Sequence, residues 1–193
     1  MTFTERVKAR SEPFFLPLVR LLSRLRVHPS TVSVAGFIGV VLAGVILALG
    51  HLRLGGLLLA LFGPLDAVDG MLARKTNQVS TFGAFLDSTL DRYAEIALFL
   101  GLTYYFLRLG NHWGVILCLL TLTGSLMVSY TRARAEGLGL SCKVGLFTRF
   151  ERLLVLTVGL VFGGLIPILA LLSLLTHFTA LQRILHVRRQ SRG

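Results

Sequence analysis

The sequence predicts an all-α integral membrane protein, with six transmembrane helices plus an N-terminal amphipathic interfacial helix. Three observations carry this reading. Of 193 residues, 54% are hydrophobic and 15% charged, against roughly 25% charged in soluble domains, and the mean hydropathy is +0.75. The apolar residues gather into runs close to the ~20 residues that a helix needs to cross a bilayer. The basic residues fall almost entirely on one side of those runs. A formal net charge of +11 would point to nucleic acid in a soluble protein. Here it fits Lys- and Arg-rich cytoplasmic loops beside anionic lipid, and no nucleic-acid partner is expected.

Residues 1–30 read as an N-terminal juxtamembrane arm. Arg6, Lys8, Arg10, Arg20, Arg24 and Arg26 interrupt it, which excludes the uninterrupted apolar core of a cleaved signal peptide. Between Phe14 and Arg26, the residues Phe15, Leu18, Val19, Leu22 and Leu25 alternate with Arg20, Ser23 and Arg24. That spacing is helical and amphipathic, as in a helix lying on a membrane surface. Residues 31–187 form the membrane domain, with predicted spans Thr31–Gly50, Leu52–Arg74, Thr81–Leu107, His112–Arg134, Gly145–Leu165 and Ile166–Arg183. The second is apolar only as far as Leu65. The last two are nearly fused, separated by Gly163, Gly164 and Pro167. Residues 188–193 form a basic cytoplasmic tail.

Basic residues orient the spans. With a cytoplasmic N-terminus, 17 of the 20 Lys and Arg residues lie inside, Arg53 and Arg108 lie outside, and Arg92 sits within a span. Both termini are therefore expected on the cytoplasmic side of the cell (inner) membrane. Cys118 and Cys142 offer neither a disulfide framework nor metal-ligand spacing and read as free thiols. The histidines show no ligand spacing, and Trp113 reads as an interface anchor. Ala35, Gly39 and Ala43 form one small-residue stripe, and Gly159 and Gly163 another. Such stripes let helices approach closely, within one chain or across a homodimer.

The acids are the informative residues. Five of the nine lie between Asp66 and Glu95: Asp66, Asp69, Asp87, Asp91 and Glu95. An aspartate at mid-helix costs about 2.5–3.5 kcal/mol on insertion, so ionisable residues in spans default to a functional reading. Asp66 and Asp69 are three apart, and Asp87 and Asp91 four apart. Either spacing puts both side chains on one helical face about one turn apart. Both pairs fall near the cytoplasmic ends of adjacent antiparallel helices. Four carboxylates that close repel unless a cation joins them. With no His or Cys nearby, hard divalent ions fit best, Mg²⁺ or Mn²⁺ and as two ions. Gly70, Ala73 and Gly83 leave room beside the acids for a bulky ligand, and Arg74 stands where a cation meets phosphate.

Written out, the pattern is Asp66-x2-Asp69-Gly70-x2-Ala73-Arg74-x8-Gly83-x3-Asp87-x3-Asp91. It resembles the signature of the CDP-alcohol phosphotransferase (CDP-alcohol phosphatidyltransferase) family at all eight defining positions. The span layout and the amphipathic arm are similar as well, so the likeness covers nearly the whole chain. The resemblance implies displacement of CMP from CDP-diacylglycerol by a hydroxyl of a polar alcohol. It further implies Asp66, Asp69, Asp87 and Asp91 as metal ligands, with Asp91 also the general base. Asp69, Gly70, Ala73, Arg74 and Gly83 would hold the CDP moiety.

For the acceptor, the stretch from Ser129 to Gly139 is similar to the segment after the fourth span of inositol-phosphate and glycerophosphate transferases. The resemblance implies Ser129, Arg132, Arg152, Arg188 and Arg189 around an acceptor phosphate, for which arginine forks are suited. Arg132 stands where the bacterial inositol-phosphate enzymes often have Lys. Asp87-Ser88-Thr89-Leu90-Asp91-Arg92 looks more like the prokaryotic phosphatidylinositol-phosphate synthase branch than the glycerophosphate branch, which tends to read Asp-Pro-x-x-Asp-Lys. Ser30 and Ser33 depart from a Pro-Asn-x-x-Thr pattern in which Pro29 is retained. The reaction expected is phosphatidyl transfer to inositol phosphate, with glycerol 3-phosphate as the alternative acceptor. A membrane prenyltransferase would lack the Asp-Gly-x-x-Ala-Arg continuation. A divalent-cation transporter, the non-enzyme alternative, leaves Gly70, Ala73, Arg74 and Gly83 unexplained.

Overall fold

A computed structural model of the chain describes residues 15–142, 144–145 and 148–191. The stretch of the predicted arm that holds Arg6, Lys8 and Arg10, and the end of the basic tail at 192–193, lie outside the described residues. Among those described, all regular structure is helical. The helices are α1 (residues 15–24), α2 (Pro29–Ala48), α3 (Leu52–Phe62), α4 (Leu65–Lys75), α5 (Thr81–Arg108), α6 (His112–Glu136), α7 (Arg149–Phe162) and α8 (Leu165–Gln190).

Local chemistry explains where they begin. Pro29 occupies the first turn of α2, where a missing N–H costs no helical bond, and the His28 side chain accepts from Ser30 N at 3.3 Å. Ser80 caps α5 by accepting from Gly83 N at 3.0 Å. Asn111 caps α6 by accepting from Gly114 N at 2.9 Å. α7 opens on a capping box in which Thr148 N donates to Glu151 at 2.5 Å, satisfying N–H groups that have no partner in the first turn. Gly163 and Gly164, with φ of 97° and 80°, reverse the chain between α7 and α8 in a conformation that side chains disfavour.

Four helical stretches are long and apolar enough to cross a membrane: Pro29–Ala48, Leu52–Lys75, His112–Glu136 and Leu165–Gln190. Several predicted boundaries move. The second span is divided into α3 and α4 at Gly63 and Pro64, because proline lacks the N–H and crowds the carbonyl four residues back. The fifth starts at Arg149 rather than Gly145, since the capping box fixes the first turn and Gly145 has a φ of 139°. With 14 residues α7 is about 21 Å long, shorter than the bilayer's ~30 Å hydrocarbon core. α5 has ample length at 28 residues, but Asp87, Asp91, Arg92 and Glu95 interrupt its apolar run between residues 87 and 95.

The bundle is built on the crossing of α2 and α5. A Cβ added to Gly101 would lie 2.0 Å from the Gly44 carbonyl oxygen, and one on Gly44 would lie 2.7 Å from the Ala97 oxygen. The two backbones touch. Among lipids such contact replaces water exclusion as the source of helix association. α6 packs on α8, and α3 on α7, around a core that includes Leu47, Leu98, Leu102, Leu156 and Leu169. One glycine of each small-residue stripe packs within the chain, Gly39 receiving the Phe62 ring and Gly159 receiving Ile168, whereas Ala35 and Gly163 are exposed.

A second apolar cluster joins α1 to the site-bearing helices. Val19, buried at 1% exposure, packs with Val32, Val68 and Leu72, flanked by Phe15 and Leu22. Leu18 and Leu25, expected on the same apolar face, point outward with Leu21, so α1 carries apolar residues on two sides. Adjacent long helices run antiparallel. The first turn of α2, all of α4, and the first turns of α5 and α7 therefore meet at one end of the bundle.

Candidate active site

Proline and capping place the aspartates. The bend at Pro64 starts α4 just before Asp66, and the Ser80 cap starts α5 two turns before Asp87. Carboxylate oxygens of Asp66, Asp69 and Asp87 lie within 4.8 Å of one another. Asp69 is buried at 5% exposure and accepts a short hydrogen bond from the Ser33 hydroxyl of α2. An oxygen-only donor set of three carboxylates, one buried and two half-buried, matches the preference of a hard divalent cation, so the residues present fit Mg²⁺ or Mn²⁺.

Asp91, one turn beyond Asp87 on α5, faces two arginines. Its Oδ1 is 2.5 Å from Nη1 of Arg149 on α7, and its Oδ2 is 3.1 Å from Nη1 of Arg92. The same Arg149 nitrogen lies 2.8 Å from Asp66 Oδ2. Arg149 therefore bridges the two acid-bearing helices. In the sequence Arg149 stands out only as one of the positive-inside charges. A signal was present: Arg149 and Arg152 stand three apart at the start of an apolar helix, opposite Asp91 and Glu95 standing four apart.

Two cavities adjoin at this cluster. The smaller, about 20 Å³, is lined by Ser33, the four aspartates and Arg149, with apolar backing from Phe37 and Val40. The larger, about 300 Å³, is lined by Asp69, Gly70, Ala73, Arg74, Gly83 and Asp87, with Ser30, Gln78 and Ser80 on its far side. Ser33, Asp69 and Asp87 belong to both walls. A Cβ on Gly70 would meet only Arg74 Nη1, at 3.6 Å, so this position opens onto the larger cavity. The eight residues of the signature are thus brought together, and Ser30, Ser33, Gln78 and Ser80 join them.

The residues expected around an acceptor phosphate line neither cavity. Ser129 is half-buried on α6. Arg132 is exposed and pairs with Glu136 at 2.8 Å. Arg188 and Arg189 are exposed near the end of α8. Arg152 is interior, its Nη2 2.7 Å from Glu95 Oε1. Arg183 is buried and donates to the carbonyls of Val128 and Val144, tying the ends of α6 and α8 to the loop between α6 and α7. Cys118 and Cys142 are free and buried.

Comparison with known proteins places this geometry. Residues 26–185 match the CDP-alcohol phosphatidyltransferase family. The phosphatidylinositol phosphate synthase of Cutibacterium acnes is 40% identical over 190 residues, covering 90% of this chain and 91% of that protein. The archaetidylinositol phosphate synthase of Methanothermobacter thermautotrophicus is 36% identical over 184 residues, covering 90% and 92%. The crystal structure of Mycobacterium tuberculosis phosphatidylinositol phosphate synthase (PgsA1) with CDP-DAG bound superposes with a TM-score of 0.82. It is 30% identical, and the match covers 89% of this chain and 92% of that one. The same enzyme in complex with manganese and citrate gives a TM-score of 0.79 at 31% identity, covering 89% and 87%. The chain is a membrane-embedded member of the CDP-alcohol phosphatidyltransferase family.

Proposed function

We propose that this protein transfers a phosphatidyl group from CDP-diacylglycerol to inositol phosphate, releasing CMP and forming phosphatidylinositol phosphate. The observation that carries the reading is the pair of adjoining cavities that share Asp69 and Asp87. One is sized for an ion between carboxylates, and the other for a nucleotide. The relatives are named for inositol phosphate products, and the superposed enzyme holds CDP-DAG.

In this reading Asp66, Asp69 and Asp87 hold the divalent cations, with Asp91 at the edge of the set. When bound, the metal neutralises the pyrophosphate and the departing CMP. Asp69, Gly70, Ala73 and Gly83 form the wall against which the CDP moiety lies, and Arg74 supplies a positive charge beside it. Asp91 takes the proton of the acceptor hydroxyl. The hydroxyl oxygen forms its bond to the diacylglycerol-bearing phosphorus as the bond from that phosphorus to the CMP oxygen breaks. Arg149 and Arg92, each in contact with one Asp91 oxygen, hold the carboxylate in place.

The acceptor phosphate is assigned to the basic end of α6 and α8, with Ser129, Arg132, Arg188 and Arg189 presenting hydroxyl and guanidinium groups there. Arg152 acts from the interior while holding Glu95. We assign six crossings, α5 and α7 completing the set. The length of α5 and its packing along α2 and α6, with α7 seated on α3 and α8, support that count. α1 lies at the interface with its outward Leu18, Leu21 and Leu25 in lipid. The positive-inside distribution supports cytoplasmic termini and an active site at the cytoplasmic face of the cell membrane; a homodimer would form through the lipid-facing helices.

The test is CMP release from CDP-diacylglycerol by purified protein with Mg²⁺ and, separately, inositol phosphate, inositol, glycerol 3-phosphate or serine. Release with inositol phosphate alone is expected. Release with glycerol 3-phosphate instead would replace the acceptor, and no release from a protein that binds the nucleotide lipid would point to another alcohol.

A further inference from the structure

α7 seats its backbone on α3 and α8, yet its first turn sends two arginines across to α5. Arg149 and Arg152 are three apart, and Asp91 and Glu95 four apart, so each couple stands on one helical face about one turn apart. The result is a two-rung ladder. The first rung is Arg149 with Asp91 at 2.5 Å, and the second is Arg152 with Glu95 at 2.7 Å. The second rung is interior, its two side chains 5% and 4% exposed. The other oxygen of Glu95 accepts from Ser125 Oγ of α6 at 2.8 Å. One carboxylate thereby ties α5, α6 and α7 together, one turn from the reacting group.

We propose that Glu95 is a positioning residue: through Arg152 it fixes the register of α7 against α5, and that register delivers Arg149 to Asp91 and Asp66. Buried ion pairs add little net stability over apolar side chains of the same volume, because desolvation offsets their attraction. Fixing a register is the use to which such a pair is suited. Glu95 lies outside the eight-residue signature and lines neither cavity, so it acts only through its neighbours. Arg149 touches acids of both α4 and α5, and a shift of α7 along its axis moves it off both together. The inference rests on the reading of Asp91 as the group that takes the acceptor proton.

The experiment is a double-mutant cycle of Glu95→Gln and Arg149→Gln, read as kcat and both KM values for CMP release, with Mn²⁺ binding measured directly. Glu95→Gln alone should lower kcat about a hundredfold, the scale of a misplacement of about 1 Å. Both KM values should stay within about threefold, since Glu95 touches neither substrate, and the Mn²⁺ affinity should move in the same direction as in Arg149→Gln, since both changes take the Arg149 charge from Asp66. In the Arg149→Gln background the same change should cost no more than about twofold, because effects that pass through one residue do not multiply. Full multiplication of the two losses, or a Glu95→Gln variant with wild-type kcat, would overturn the proposal.

The pair Glu95→Gln with Arg152→Met leaves no lone buried charge and serves where the single variant fails to fold. Its cycle with Arg149→Gln is read in the same way. Restored melting temperature with kcat still low at saturating acceptor supports positioning, whereas restored kcat makes the rung a packing element only. The unsubstituted protein, assayed across acceptors, tests the functional reading separately. The cycle is then run with whichever acceptor supports release.

Discussion

The Ser33 hydroxyl on α2 donates to the Oδ2 of Asp69 on α4, linking the first membrane helix to a carboxylate of the trio proposed to hold the metal. Groups that orient a ligand from behind typically change metal affinity by about 10–100-fold when removed. Ser33→Ala should weaken Mn²⁺ binding by about tenfold on that scale, while Ser33→Thr, which keeps the hydroxyl, should bind nearly as the parent does. Titration of Mn²⁺ by its paramagnetic signal reads both. Equal affinity in Ser33→Ala would show that Asp69 needs no such support.

Asp91→Asn should remove turnover and little else. General base catalysis is worth about 10²–10⁴ in rate, and loss on that scale is expected in kcat. Binding of CDP-diacylglycerol and the melting temperature should hold, since asparagine preserves the shape facing Arg149 and Arg92. An active variant would move the proton-accepting role elsewhere in the cluster.

Gly70 faces the 300 Å³ cavity with only Arg74 near its added Cβ. Gly70→Val should therefore fold, yet fill the space assigned to the nucleotide. A penalty of about 1–3 kcal/mol for overfilling a packed space corresponds to roughly tenfold or more in affinity for CDP-diacylglycerol. Acceptor KM should be unchanged, and isothermal binding with kinetics separates the two.

Arg132 is exposed at the basic end of α6, in a pair with Glu136. An exposed pair contributes about 0–1 kcal/mol to stability, so Arg132→Ala should leave the melting temperature in place. If it contacts the acceptor's phosphate, KM for inositol phosphate rises about tenfold, the ~1.5–3 kcal/mol worth of a hydrogen bond to a charged group. KM for the nucleotide lipid stays. Equal changes in both constants would remove Arg132 from the acceptor site.

Gly101→Ala tests the architecture rather than the chemistry. With 2.0 Å between the added Cβ and the Gly44 oxygen, α2 and α5 must separate. A loss of about 1–3 kcal/mol is expected, seen as a lower melting temperature in detergent. An unchanged melting temperature would mean that the helices do not cross at this point.

Much of the site was legible in the chain itself, because helical periodicity alone converts the three- and four-residue intervals of the aspartates into shared faces. The joining of Asp66, Asp69 and Asp87 with Gly70, Ala73, Arg74 and Gly83 required nothing more than two antiparallel helices and a short connection. Arg149 was not legible in the same way. Its role depends on where α7 starts, and that is set by the capping box of Thr148 and Glu151 rather than by hydropathy. Arg152 was expected at the acceptor phosphate and stands in the interior against Glu95, a pairing that spans 57 residues of sequence and leaves no local trace. The division of the second span at Pro64 was foreshadowed by the loss of apolarity after Leu65, although hydropathy counted the whole stretch as one crossing.

Bending at Gly63 and Pro64 leaves α3 with 11 residues, an apolar column of only about 16 Å against a hydrocarbon layer of ~30 Å. The polar α4 occupies the remaining depth. Together the 24 residues of Leu52–Lys75 are long enough to cross that layer, so Asp66 and Asp69 stand on the polar part of one crossing and not on a loop. In the proposed reaction, a two-chain donor would reach those aspartates by sideways diffusion, with its acyl tails kept in their own leaflet.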